Sequence, residues 1–307
     1  MARLLSSARQ VRSADRLPSG PARAAGEFYG QPDPTLGLQL LARFFAKHPE
    51  YQDKVFLSVK GGIRPDFTAD GSLDGLRKSV TNINAILASH GAIKKQDLFE
   101  CARLDKETGI EQVIRNLEIL KKEGHFTHIG VSELSAATLR KGAAVGKIDA
   151  AEFEFSPWAL DPASNGILDA CKELGIAAVA YSPLGRGFLT GSIKSRADIP
   201  EGDMRLHFER FSEENFGENL KLVDDLAAFA QSKAISPAQL ALAWSLAQWE
   251  GIIPIPGSTR LEGVEEALGA VKVELSMDDL DKIQAILDKH VIKGGRYNKH
   301  AEAALDA

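Results

Sequence analysis

The sequence predicts an α/β barrel of the (β/α)8 (TIM) type, one βα unit short at its start, and three observations lead to that class. From residue 55 onward, short apolar runs alternate with amphipathic stretches of helical length. That is the pattern of βαβ units around a parallel sheet covered on both faces. Six such runs are clear, and residues 25–28 supply the end of a seventh; this count suits a closed barrel better than a doubly wound sheet. No run is followed by GxGxxG opening a helix, so the main sign of an open dinucleotide-binding sheet is missing.

The elements follow in order. "VFLSV" (55–59) precedes a helical pattern near 72–89, and "DLFECA" (97–102) precedes one at 109–124. In the latter, Ile110, Val113, Ile114, Leu117 and Leu120 recur at the spacing of one helix face. "THIGVS" (127–132) leads to a helix at 136–145, and "AAEFEFS" (150–156) to one at 165–174. "IAAVAYS" (176–182) is followed by a long loop and two helices, near 216–232 and 236–249. "IIPIP" (252–256) precedes a helix at 261–269, and a last helix spans about 276–290. Gly124 and Gly175 stand where left-handed helix caps are expected. No composition break divides the body, so one domain is expected over residues 25–290, followed by a tail at 291–307.

Composition narrows the function. The 307 residues are 44% hydrophobic and 26% charged with net charge −5, and no basic block lies in the body, which argues against a nucleic-acid partner. Cys101 and Cys171 are isolated and the seven histidines lack ligand spacing, so no metal and a reducing, cytoplasmic setting are expected. No apolar run approaches the roughly 20 residues of a membrane span. Residues 1–24 differ from the rest: the opening 26 residues hold five arginines, four serines and one acid, Asp15. This matches the composition of a mitochondrial transit peptide, but a segment unrelated to the body is the preferred reading.

In a barrel of this kind the chemistry sits at the C-terminal ends of the strands. Those ends carry Tyr29, Lys60, Ala102 with Arg103, Ser132 with Glu133, Glu152, Tyr181 with Ser182, and the "PGSTR" loop at 256–260. In order, "GEFYG", "VFLSVKGG", "IGVSEL", "AYSPLGRGFLTG" and "IPIPGSTRLEGVEEAL" resemble the aldo-keto reductases, NADPH-dependent barrel enzymes. "AGEFYG" and "DLFECARLD" resemble the fungal pyridoxal reductase branch in particular. The resemblance covers residues 25 to about 298.

The resemblance implies NADPH-dependent reduction of an aldehyde, with pyridoxal the leading substrate, by a monomer with a small-molecule substrate. Tyr29 matches the general acid and Lys60 the lysine that lowers its pKa. Ser132, Glu133 and Glu152 match positions that hold the nicotinamide carboxamide; Glu133 replaces the usual asparagine and Glu152 a common glutamine. Tyr181 matches the aromatic stacked on the nicotinamide, and Ser182, Pro183, Leu184 and Arg186 the loop under the pyrophosphate. Ser258, Thr259 and Arg260 suit the adenosine 2′-phosphate at a helix start, with Glu262 and Glu265 near the adenine amine. Two positions depart from the family. Ala24 stands where an aspartate usually pairs with the lysine, and Ala102 where a histidine is usual. A smaller residue at Ala102 would widen the substrate pocket. Glu100 shares a strand face with Ala102, one layer deeper, and reads as an interior polar residue before a replacement acid. Trp158 would wall the substrate pocket or pack in its rim. A non-catalytic NADP(H)-binding barrel subunit, an inactive truncation product, and an aryl-alcohol or sugar reductase remain as alternatives.

Overall fold

The computed structural model describes residues 22–30, 32–297, 305 and 306. Among them are seven strands: β1 (Ala22–Gly26), β2 (Phe56–Gly61), β3 (Leu98–Cys101), β4 (His128–Ser132), β5 (Ala150–Glu154), β6 (Ala177–Tyr181) and β7 (Ile252–Pro254). They neighbour one another in chain order. The expected absence of a first βα unit falls on residues 1–21, which lie outside the described residues.

The sequence shows no linker, yet the chain groups into two compact units. One comprises the described residues through Glu152, together with Asn165–Ala178, Leu305 and Asp306; the other holds Phe153–Ser164 and Val179 onward to residue 297. The division runs across β5 and β6 themselves, which is why no composition shift marks it.

In the first unit, β1 to β5 pair in parallel. Two carboxylates staple the starts of these strands. Asp97 Oδ2 accepts from the Leu57 N–H at 2.7 Å, and Asp149 Oδ2 from the Ile129 N–H at 2.9 Å. Around the strands lie α1 (Leu36–Lys47), α2 (Leu73–Ala88), α3 (Ile110–Lys122), α4 (Ala136–Ala143) and α6 (Ile167–Leu174). α3 buries the five apolar residues its periodicity singles out. At about 1.5–3 kcal/mol per side chain, that face outweighs the weak intrinsic preference of a short helix. The sequence reading has no helix at α1, although Leu38, Ala42 and Phe45 are buried at helical spacing. Gly124 and Gly175 adopt φ of 81° and 68°, the left-handed caps expected of them.

In the second unit the end of β6 binds both neighbours, through Phe155 N–H to Tyr181 O at 3.4 Å and Ile255 N–H to Ala180 O at 3.0 Å. Its helices are α5 (Asp161–Ser164), α7 (Glu213–Ser232), α8 (Pro237–Gln248), α9 (Leu261–Gly269) and α10 (Met277–Lys289). α8 is apolar nearly all round and is the core helix, burying Leu240, Leu242 and Trp244 among others. Serines cap five helices of the two units. Ser72, Ser135, Ser212, Ser236 and Ser276 each accept from the N–H three residues on, worth about 1 kcal/mol apiece. None of the helices among the described residues is long and apolar enough to cross a membrane.

Candidate active site

Tyr29 stands in the turn from β1 to α1. Its N–H donates to Gly26 O at 3.3 Å, and its carbonyl accepts from Gly37 N–H at 3.1 Å. A Cβ at Gly26 would fall 3.0 Å from the tyrosine ring, so glycine lets the ring close over the strand end. The preceding Glu27 ties this turn to its surroundings. Its N–H donates to Lys60 O at 2.8 Å, and its carboxylate accepts from Ser79 Oγ at 2.5 Å and Asn82 Nδ2 at 2.7 Å. Ser79 Oγ in turn accepts from the Gly62 N–H at 3.1 Å. Sequence reasoning assigned Glu27 no role, although it sits inside "GEFYG".

Strand register places Lys60 directly opposite Glu100, and Ser132 opposite Glu152. Lys60, Glu100 and Glu152 are 5%, 1% and 2% exposed. Lys60 Nζ lies 2.5 Å from Glu152 Oε2 and 3.4 Å from Glu100 Oε1. Both contacts are ion pairs within the buried cluster. Gly130 makes room for the cluster, since a Cβ there would stand 3.1 Å from Glu100 Cβ. Glu100 is thus an interior residue as expected, and also one of Lys60's two partners, which the sequence did not show.

These charges set the proton affinities. Burial lowers that of Lys60, but Glu100 and Glu152 outweigh it and raise the ammonium above its ordinary range. Burial and the neighbouring Glu152 hold the Glu100 carboxyl well above the usual carboxylate range, against the pull of Lys60. Tyr29 is 49% exposed. Loss of hydration still raises its hydroxyl above the ordinary 10.0; Lys60 and Arg103 act to lower it, and Glu152 and Glu100 to raise it. The resemblance implies that Lys60 lowers the Tyr29 pKa. Lys60 does act in that direction, but burial outweighs it.

The other positions of the first unit are well defined. Ala102 is buried just past β3, its N–H donating to Gly61 O at 3.1 Å. Arg103 Nη1 donates to Ala102 O at 2.6 Å and is a second cation acting on Tyr29. Ser132 Oγ is buried without a hydrogen-bond partner among the described residues. Glu133 takes a positive φ of 53°, unusual for a non-glycine, with its N–H donating to Glu152 O at 2.9 Å. From the tail, Asp306 Oδ2 accepts from Ser135 N–H and Ser135 Oγ, both at 3.0 Å, and so fastens the loop that carries Ser132 and Glu133. Glu152, placed against Lys60, is engaged where the resemblance leaves it free for a carboxamide. An unpartnered buried hydroxyl at Ser132 fits that carboxamide.

In the second unit, Tyr181 Oη lies 2.5 Å from Tyr297 Oη. The "SPLGRG" loop turns tightly, with Ser182 and Arg186 at φ of 49° and 57°. Gly185 N–H donates to Ser182 O at 2.9 Å and Leu189 N–H to Leu184 O at 3.1 Å, which places Pro183 and Leu184 inside the turn. The Arg186 guanidinium lies 4.1 Å over the Phe208 ring and 4.7 Å over Tyr297, with Glu154 Oε2 3.4 Å away. Ser258, Thr259, Arg260, Glu262 and Glu265 are exposed at the start of α9. Ser258 Oγ is spent locally, donating to Arg260 O at 2.8 Å. Trp158 is 2% exposed, packed 4.7 Å from Phe188 and 5.2 Å from Phe211 with Arg210 over its ring. Cys101 and Cys171 are buried thiols, each pushed up to about 12 by burial.

Comparison with known proteins follows the same lines. The chain is similar to the probable pyridoxal reductase 2 of Schizosaccharomyces pombe, 39% identical over 289 residues, covering 92% of this chain and 85% of that one. It is 37% identical over 262 residues to the aldo-keto reductase yakc [NADP(+)] of the same organism, covering 84% and 77%. Among solved structures, the glycerol dehydrogenase AKR11B4 of Gluconobacter oxydans superposes with a TM-score of 0.78 at 21% identity, over 89% of this chain and 83% of that one. At that identity the likeness speaks for the fold alone, a barrel of the (β/α)8 type. The model of the aldo/keto reductase family matches residues 25–288, and the chain belongs to that family.

Proposed function

We propose that this oxidoreductase reduces an aldehyde to its alcohol with NADPH, and that pyridoxal is the substrate. The observation that carries the reaction class is Lys60, buried and charged, acting on the hydroxyl of Tyr29. Pyridoxal rests on the name of the 39% identical relative, and NADPH on that of the relative named for NADP(+).

NADPH, when bound, supplies the hydride. In the first unit Ser132 Oγ would meet its carboxamide; for Tyr181, the loop through Arg186, and Thr259 with Arg260, a part in holding it rests on the family resemblance alone. The chain's own part is proton handling. A hydroxyl raised above 10.0 remains protonated across the neutral range, so Tyr29 Oη has its proton ready for the carbonyl oxygen. As the proton leaves, negative charge grows on Oη, and the Lys60 ammonium offsets it. Ala102 offers no hydrogen bond where the family usually has histidine, so orientation of the carbonyl falls to Tyr29.

The test is NADPH oxidation by purified protein mixed with pyridoxal, beside Tyr29→Phe. The expected loss in the variant is about 10²–10⁴-fold in kcat. Oxidation that survives in Tyr29→Phe removes Tyr29 from the mechanism. NADPH binding without oxidation favours a non-catalytic nucleotide-binding subunit.

A further inference from the structure

Lys60 lacks the partner its family usually supplies. The strand position that would carry an aspartate holds Ala24, an exposed methyl group, while Glu152 occupies a position where glutamine is common. The carboxylate absent from β1 therefore reappears on β5, and Glu152 Oε2 stands 2.5 Å from Lys60 Nζ. A second carboxylate, Glu100 on β3, reaches the same nitrogen at 3.4 Å. All three groups are at least 95% buried. Two ionised carboxylates on one ammonium would leave an unpaired negative charge out of water, which is costly. Retaining one proton on the pair makes the cluster neutral.

We propose that Glu100 and Glu152 jointly replace the missing aspartate as the counter-ion of Lys60. They share one proton, with Glu152 ionised and Glu100 carrying it, and so keep Lys60 charged toward Tyr29. Glu152 has the closer contact with the ammonium, 2.5 Å against 3.4 Å, which leaves the proton to Glu100. The titratable groups facing Lys60 are Glu100 from β3, Glu152 from β5 and Tyr29 from the β1–α1 turn. Arg103 acts on Tyr29 from beyond β3. Both glutamates are positioning residues, working through Lys60. The assignment rests on Tyr29 and Lys60 being the proton-handling pair, but its test needs neither substrate nor cofactor.

The test uses the unliganded full chain. Infrared difference spectra of wild type against Glu100→Gln near neutral pH are expected to show one protonated carboxyl, lost in the variant. Its absence overturns the shared proton. The Lys60 Cε signal is then followed by ¹³C NMR against pH, identified by its loss in Lys60→Met. In wild type and in each single Gln variant it is expected to stay ammonium-like past about 10.4, the ordinary lysine value. In Glu100→Gln/Glu152→Gln it is expected to titrate below that, by about a unit or more, since desolvation is then unopposed. A double variant that titrates like wild type overturns the counter-ion role. Ala24→Asp added to the double variant is expected to restore the wild-type titration. A preparation that passes these tests yet fails to oxidise NADPH with pyridoxal would refute the proposed reaction and leave the clamp standing.

Discussion

Lys60→Met removes the cation that faces Glu100 and Glu152, and its effect on stability can be worked from the distances. At an effective dielectric constant of about 20, the 2.5 Å contact with the ionised Glu152 is worth roughly 7 kcal/mol gross, and the 3.4 Å contact with protonated Glu100 adds a weaker charge–dipole attraction. Taking the charges out of water offsets much of this. The net cost of removing one partner of such a cluster is about 3–5 kcal/mol, a large share of the roughly 5–15 kcal/mol by which a domain is stable. The cost depends on pH with a definite sign. Burial already holds Glu100 well above the usual range, and Lys60 is what pulls it down, so the variant raises it further. A carboxyl whose folded value exceeds its unfolded value of about 4.3 costs nothing below that value. It destabilises progressively as pH climbs from there, equally in wild type and variant up to the wild-type folded value and further in the variant alone above it. Thermal unfolding by circular dichroism, wild type beside variant, is the assay. The expected fall in Tm is on the order of 10 °C at mildly alkaline pH, shrinking to less than half near pH 5. A loss under about 2 °C, or one equal at both pH values, would refute the reading of this cluster as coupled buried charge.

Three further outcomes are expected. Arg260→Ala should raise the KM for NADPH by about 10- to 100-fold while leaving that for NADH nearly unchanged, since on the proposed reading the exposed guanidinium at the start of α9 would meet the 2′-phosphate, which NADH lacks; steady-state kinetics with both cofactors decides it. In the capping box of α10, Lys233 at 3.0 Å and the N–H and hydroxyl of Ser276 pull Asp279 down to about 2. Its contribution is present above the unfolded value of about 3.9 and lost as pH falls through about 2. Asp279→Asn should therefore cost about 1 kcal/mol in urea unfolding at neutral pH and almost nothing near pH 2. Phe188 is fully buried against Trp158, Phe211 and Phe216, so Phe188→Ala should cost about 3–5 kcal/mol in the same experiment.

The elements were legible because their signals are local. The apolar spacing of α3 and the glycines at 124 and 175 depend on neighbours a few residues away, and they appear where periodicity and cap chemistry place them. α1 carries a comparable signal in Leu38, Ala42 and Phe45 but lies before the first clear alternation, where no βα rhythm frames it. The division into two units was not legible, since it crosses β5 and β6 instead of following a linker.

The site divides in the same way. Tyr29 and Lys60 could be named from the sequence, because each sits beside a strand end in a motif and strand ends are where such a fold does its chemistry. The partners of Lys60 could not be. Period-two alternation states which face a residue shares within its own strand, but not which residue of another strand it meets. That is decided by register: Lys60 opposite Glu100, Ser132 opposite Glu152. Burial was equally beyond sequence. Trp158 reads alike as pocket wall and as rim packing, and only the structure shows Phe188 and Phe211 closing around it; Glu27, given no role by the sequence, proves to be bound by Ser79 and Asn82. The sequence by itself determined the order of strands and helices and the residue types available for proton transfer, because both follow from short-range pattern. Tertiary structure decided which charges share one buried space, and hence their proton affinities, because desolvation and Coulomb energies depend on distances that only the packed strands set.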